Sequence, residues 1–350
     1  MTQTLTAPAT GSDTTRGSDF TPLARRVRES GLMERATAHY TRSITLNVLG
    51  TAAVWAGVAA IGTGAAGIGA WWALPLALPA ALLSTRTGFL GHDAGHKQIA
   101  GSAKANRRLG LLLGNAMLGL SHGWWNAKHN QHHANPNHTG KDPDVGAGAL
   151  VFTEEDARAR TGLTGWITRH QAWLFFPMLT LEGLALKLSS FQDLKNRPAK
   201  ERRIEGALLV LHLLAYLTLA FTLLPVPVAL AFIALHQGLF GLHLGCAFAP
   251  NHKGMPMPGP DDDWDHLRKQ VLTSRNVRGG PVVDWMLGGL NYQIEHHLFP
   301  GLPRPALKKI RPMVQEHCAA LGLPYTETGV IDSYRQALAH LDHVGTGVVG

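Results

Sequence analysis

The sequence predicts an all-α integral membrane protein, with four transmembrane helices arranged as two hairpins that carry a histidine-rich cytoplasmic cap. Three observations predict it. Charge is segregated, with no Asp, Glu, Lys or Arg from Ser43 to Thr85 or from Gly206 to Asn251. Each of these stretches is roughly twice the ~20 residues that cross a bilayer, and each breaks near its middle, at Gly67-Ile68-Gly69 and Pro225-Val226-Pro227. Histidine is concentrated: of 19 in the chain, seven fall in HDAGH at 92–96, HNQHH at 129–133 and QIEHH at 293–297.

Taken in order, residues 1–19 are rich in Thr, Ser, Gly and Asp and read as a disordered N-terminus. Residues 20–350 read as one domain. Its first segment, 23–40, has Leu23 and Val27 among arginines and predicts a basic amphipathic helix at the membrane surface. Spans are expected at 43–65, 70–88, 206–224 and 227–249. Buried helices of a soluble protein fit less well, because such helices are rarely apolar all round. Within the long segment 89–205, residues 109–121 are apolar but too short to span. Residues 172–190 contain Pro177, Glu182 and Lys187 and predict an interfacial helix.

Both hairpin tips lack charge, so all 32 Lys and Arg fall on the other side of the membrane. The tendency of basic loops to stay inside then makes both termini and the central region cytoplasmic. The net charge of +8 follows mostly from this topology, with some attraction for membrane lipid headgroups or acidic partners. No recognised nucleic-acid motif accompanies it, so no nucleic-acid partner is expected. Cys246 and Cys318 form neither a CxxC site nor a disulfide framework. The first apolar stretch starts late and continues into a second span, unlike a cleaved signal peptide.

The histidine spacing carries chemistry. His92 and His96 are four apart, and His132 and His133 follow His129 by three and four. His296 and His297 follow Gln293 in the same way. Each group therefore presents its side chains on one helical face, and the topology places all three on the same side. Imidazole suits iron, zinc, copper and nickel. Seven ligands exceed the four of one tetrahedral zinc and suit two metals. Asp93 and Glu295, inside the motifs, either accept the second ring N–H of a ligand histidine or are simply solvated.

HDAGH, HNQHHANPNH and NYQIEHHLFP resemble the three histidine boxes, HxxxH, HxxHH and QxxHH, of the membrane fatty acid desaturase family. The resemblance runs from about residue 20 to residue 340, with one hairpin before the first box and one between the second and third. The Gln that opens the third box resembles the front-end acyl desaturases and their bacterial relatives. The resemblance implies two iron ions, O2 as co-substrate, a fatty acyl substrate (acyl-CoA or acyl-lipid) and a cis double bond as product. It implies as metal ligands His92, His96, His129, His132, His133, His296 and His297. An eighth is expected near the cytoplasmic end of the fourth span, where FAPNHKGMP offers His252, with His243 as the alternative. Asn251 is a candidate for bridging through water, and Gln293 for a place at the metal or just behind the ligands. No HPGG haem motif occurs, so electrons come from a separate donor, ferredoxin-like or similar. Trp124, Trp125 and Asn126 either line the acyl tunnel or anchor the interface.

No catalytic role is expected for Asp142 or Asp144 of KDPD. His212 and His236 are expected to bond between helices, and His39, His122, His138, His170, His266, His317, His340 and His343 to lie at the surface. A fatty acyl hydroxylase shares the expected site. A membrane metal transporter is disfavoured, because both apolar stretches lack acids.

Overall fold

The computed structural model describes residues 18–347, so the expected disordered segment 1–19, apart from Ser18 and Asp19, lies outside the described residues. The chain is helical, with one parallel pair of three-residue strands, Asn276–Arg278 with Glu327–Gly329. Among the described residues, four helical stretches are long and apolar enough to cross a membrane: Thr37–Gly62, Ala70–Gly95, Ala199–Leu223 and Val226–His252. They start and stop around the expected breaks, but their far ends extend past the apolar residues. Helix hydrogen bonding continues through Arg42 on the first and Lys200 to Arg203 on the third, with those charges at the ends. The second begins as a 3-10 turn, Ala70–Leu76, ahead of the α-helix Ala77–Gly95.

The four stretches are not equivalent. In the most apolar window of each, 44% of the second and 50% of the fourth is buried, against 11% of the first and 11% of the third. The second and fourth are therefore the inner pair. They meet through Ala81, Phe240 and Leu244, with Leu118 and Leu120 packed alongside. Both inner helices end in histidines, His92 on one and His252 on the other, so the stiffest part of the bundle carries the ends of the candidate site.

The expected interfacial helix at 172–190 is two helices, Gln171–Leu179 and Glu182–Asp193, bent by 72°. The second packs its backbone onto the fourth span at glycine. A Cβ on Gly241 would lie 2.6 Å from the Leu179 carbonyl oxygen and 2.8 Å from the Gly183 nitrogen. Backbone atoms cannot swing aside as a side chain can, so Gly241→Leu is expected to destabilise the fold by at least about 1–3 kcal/mol, the usual cost of overpacking. At Gly238 the nearest atom to such a Cβ is 3.9 Å away, and Gly238→Ala should be nearly neutral. Thermal unfolding of the two variants in detergent checks this.

The amphipathic helix expected at 23–40 is shorter and differently placed. It covers Phe20–Glu29, and Leu23 and Val27 pack into the core formed by Ile310, Val314 and Leu302, so its apolar face meets protein. Glu205, nearly fully buried on the third span, ties that span to the second histidine box. It accepts from Ser121 Oγ at 2.6 Å and from the Gly123 nitrogen at 3.2 Å. Ser121 in turn caps the helix His122–Ala134 by accepting from the Trp124 nitrogen at 3.0 Å. A carboxylate at this N-terminus favours the helix through its dipole.

Candidate metal centre

Three separate pieces of helix converge at one end of the bundle. His92 and His96 close the second span, His129, His132 and His133 lie on His122–Ala134, and His296 and His297 lie on Gln293–Leu298. His252, the last residue of the fourth span, joins them. The rings sort into two sets. The candidate ligand atoms of His92, His96, His129 and His296 all lie within 4.8 Å of one another, and so do those of His132, His252 and His297. His133 stands between the sets, its ring 4.8 Å from that of His296 and stacked at 4.2 Å on that of His297. The eight expected histidines are thus brought together.

The outward nitrogens are fixed by acceptors. His92 Nδ1 donates to Asp93 at 3.1 Å, His132 Nδ1 to Asp142 at 2.9 Å, His252 Nδ1 to the Thr273 carbonyl at 3.0 Å and His297 Nδ1 to Gln270 Oε1 at 2.8 Å. A ring that carries its proton on Nδ1 leaves a bare lone pair on Nε2. Nε2 of His92, His296 and His297, and Nδ1 of His133, are buried without any partner among the described residues. His129 Nε2 lies 2.9 Å from His96 Nε2 and 3.0 Å from His133 Nε2, nitrogen facing nitrogen. Buried polar atoms are rarely left this way. A cation at each set satisfies them together, so the residues present fit two metal ions of the imidazole-binding kind.

Electrostatics agrees. His96, His129, His133, His296 and His297 are held well below the ordinary histidine range, first by burial and then by the neighbouring imidazoles. They are neutral at pH 7, the form that binds a metal.

Several expectations change. Asp93 holds His92 as expected, but Glu295 touches no histidine. It is fully buried between Asn276 Nδ2 and the Tyr325 hydroxyl, each at 2.7 Å, and burial raises its carboxyl to about 7. His243 bonds to the Met286 carbonyl at 2.9 Å, away from both sets, which leaves the place to His252. Asn251 Nδ2 donates to Gln293 Oε1 at 3.2 Å, and Gln293 Nε2 then lies 2.8 Å from His252 Nε2. Gln293 therefore stands on the metal-facing side of His252 rather than behind it. Trp125 stacks on His129 at 4.3 Å and belongs to the wall of the site, as its position four residues before that histidine allows.

The KDPD turn is structural, as expected, but its Asp142 returns to hold His132, a partnership the sequence did not reveal. Gln270 and Thr273 were also missed. His122 and His138, expected at the surface, are buried; the His122 ring occupies space that a side chain at Gly110 would fill, 2.1 Å from its would-be Cβ. His236 bonds Tyr216 at 2.8 Å and Ser84 at 3.0 Å, the expected inter-helix role.

The chain matches the fatty acid desaturase family model over residues 69–329. It is 31% identical over 275 residues to an acyl-lipid (9-3)-desaturase of Physcomitrium patens, covering 75% of this chain and 52% of that protein. It is 27% identical over 337 residues to an acyl-lipid (8-3)-desaturase of Rebecca salina, covering 93% and 75%. With a delta(5) fatty acid desaturase of Caenorhabditis elegans it shares 29% over 327 residues, covering 90% and 70%. The chain thus spans about half the length of the first of these relatives. With the family match extending over most of the chain and both histidine sets inside it, the protein belongs to the fatty acid desaturase family.

Proposed function

We propose that the protein is an O2-dependent acyl desaturase that places a cis double bond in a fatty acyl chain, using two iron ions held by the eight histidines. The observation that carries this reading is the pair of buried imidazole sets with partnerless nitrogens among the described residues, at the end of an apolar bundle. An unactivated methylene has no acidic proton, so acid–base groups alone cannot reach it. Iron with O2 supplies the oxidising power: two C–H hydrogens, two electrons and two protons reduce O2 to two waters as the C=C bond forms.

The chain's own residues do the rest. Asp93, Asp142, Gln270 and the Thr273 carbonyl fix which ring nitrogen faces inward. Burial of His132, His252, His296 and His297 keeps bulk water from the reacting carbon. Neither free cysteine lies in the histidine sets, so no oxidisable thiolate is a ligand. The acyl chain runs into the four-helix bundle with its head on the cytoplasmic face, where the sequence concentrates its basic residues. Those residues offer a docking surface for an acidic, ferredoxin-like electron donor. Two relatives are named for acyl-lipid substrates, which favours a lipid-borne chain over a thioester.

The test is expression in a host with ferredoxin donors, followed by mass spectrometry of total fatty acids with bond-position derivatisation. The expected result is a new cis-unsaturated acid that is absent with His132→Ala. A hydroxy acid in its place would move the assignment to a hydroxylase. No product, even after reconstitution with a reductant and O2, would overturn the reading.

A further inference from the structure

The segment Gln270 to Asn276, QVLTSRN, contains no histidine, yet it supports much of the second set. Gln270 joins two boxes. Its Nε2 donates to the His133 carbonyl at 2.9 Å, which can only accept, so the amide orientation is settled. Its Oε1 must then accept from His297 Nδ1, at 2.8 Å. That proton position forces the bare Nε2 of His297 inward. Three residues on, the Thr273 carbonyl does the same for His252 Nδ1 at 3.0 Å.

Arg275 fixes the backbone around His252. Its side chain is fully buried, yet among the described residues it faces no carboxylate. Its guanidinium donates instead to the carbonyls of Pro250 and Lys253, to the Ser333 carbonyl at 3.3 Å and to Gln336, while its own backbone nitrogen donates to Asn251 at 2.9 Å. A buried unpaired cation is costly. Here it sits on the last carbonyls of the fourth span, the negative end of the helix dipole. Two of three histidines in the second set thus owe their orientation to this one segment, while no ring of the first set hydrogen-bonds to it among the described residues.

We propose that Gln270 is a positioning residue for the second metal, selecting the His297 tautomer that binds it. This rests on the two-metal reading above. Without an acceptor at Nδ1, the His297 proton is free to sit on Nε2 and face the metal.

The test is a cobalt(II) titration of the metal-free, full-length protein in detergent, read by ligand-field absorption, with thermal unfolding alongside. Wild type should take up cobalt at both sets. Gln270→Leu should weaken one of the two uptakes by about 10–100-fold, the usual effect of losing such a partner, and leave the other unchanged. Val271→Ala, a buried core change one residue away, should lower the unfolding temperature yet retain both. Full cobalt binding by Gln270→Leu would overturn the assignment, as would equal losses in Val271→Ala. A wild-type chain that binds at one set only would overturn the two-metal reading itself, and is recognised before any substitution is made.

Discussion

Replacing His296 by alanine should abolish product formation while leaving a folded protein. The ring is fully buried at the meeting point of the two sets, 4.7 Å from His92, 4.8 Å from His96 and 4.8 Å from His133. It makes no side-chain hydrogen bond among the described residues, and its Nε2 is partnerless. Removing it breaks no protein–protein bond and relieves a buried, unpaired nitrogen. The cost in folding is therefore small for a core residue, whereas the loss at the metal is complete. Losing a partner behind a ligand already costs 10–100-fold, so losing the ligand should cost more than about a hundredfold in turnover. Iron per chain, product yield and unfolding temperature measured on one preparation check this. Retained activity with His296→Ala would remove it from the metal site.

The largest stability effect is expected at Arg304. Its guanidinium meets the Asp93 carboxylate and donates to the Phe89 carbonyl at 2.9 Å. The side chains are only 14% and 3% exposed, so the pair is effectively buried. Removing one partner of such a pair typically costs about 3–5 kcal/mol, because the other charge stays behind. Arg304→Met should therefore destabilise the protein by several kcal/mol. It should also weaken metal binding, since Asp93, no longer held by Arg304, would hold the His92 ring less firmly. Adding Asp93→Asn to Arg304→Met should recover part of the stability, because removing both charges leaves nothing unpaired. Denaturant unfolding of the metal-free single and double variants provides the comparison, and an unrecovered double variant would count against the ion pair as the cause.

The legible and the hidden parts of this protein differ in physical kind. His92 and His96, or His132 and His133 after His129, are readable because a helix turns a spacing into a shared face. The spans are readable because no charge interrupts them. The supports of the site leave no such trace. Asp142 meets His132 from ten residues away across a turn, and Gln270 meets His297 from twenty-seven. The Thr273 contribution is a backbone carbonyl, which any residue carries. Glu295 is the opposite case: its place inside a box suggested either an acceptor for a histidine or a solvated acid, and it is neither. Its helix instead turns it away, toward Asn276 and Tyr325. The ends of the spans were set short because hydropathy marks where apolar residues stop, not where backbone hydrogen bonding stops.

The ligands are scattered along the chain from residue 92 to residue 297, and their clamps reach further, to Arg304, Ser333 and Gln336. During synthesis the apolar helices emerge and insert well before these last residues exist. The centre is thus completed only after all four candidate spans have been made, and until then the chain carries a half-built pocket. On the two-iron reading, the metal stabilises only a chain in which all these residues are in place, since ligands that bind the native state draw the equilibrium toward it. On that reading, a cell short of iron would accumulate molecules whose metal-free rim opens more often, exposing cleavage sites within residues 293–336 before any in the spans.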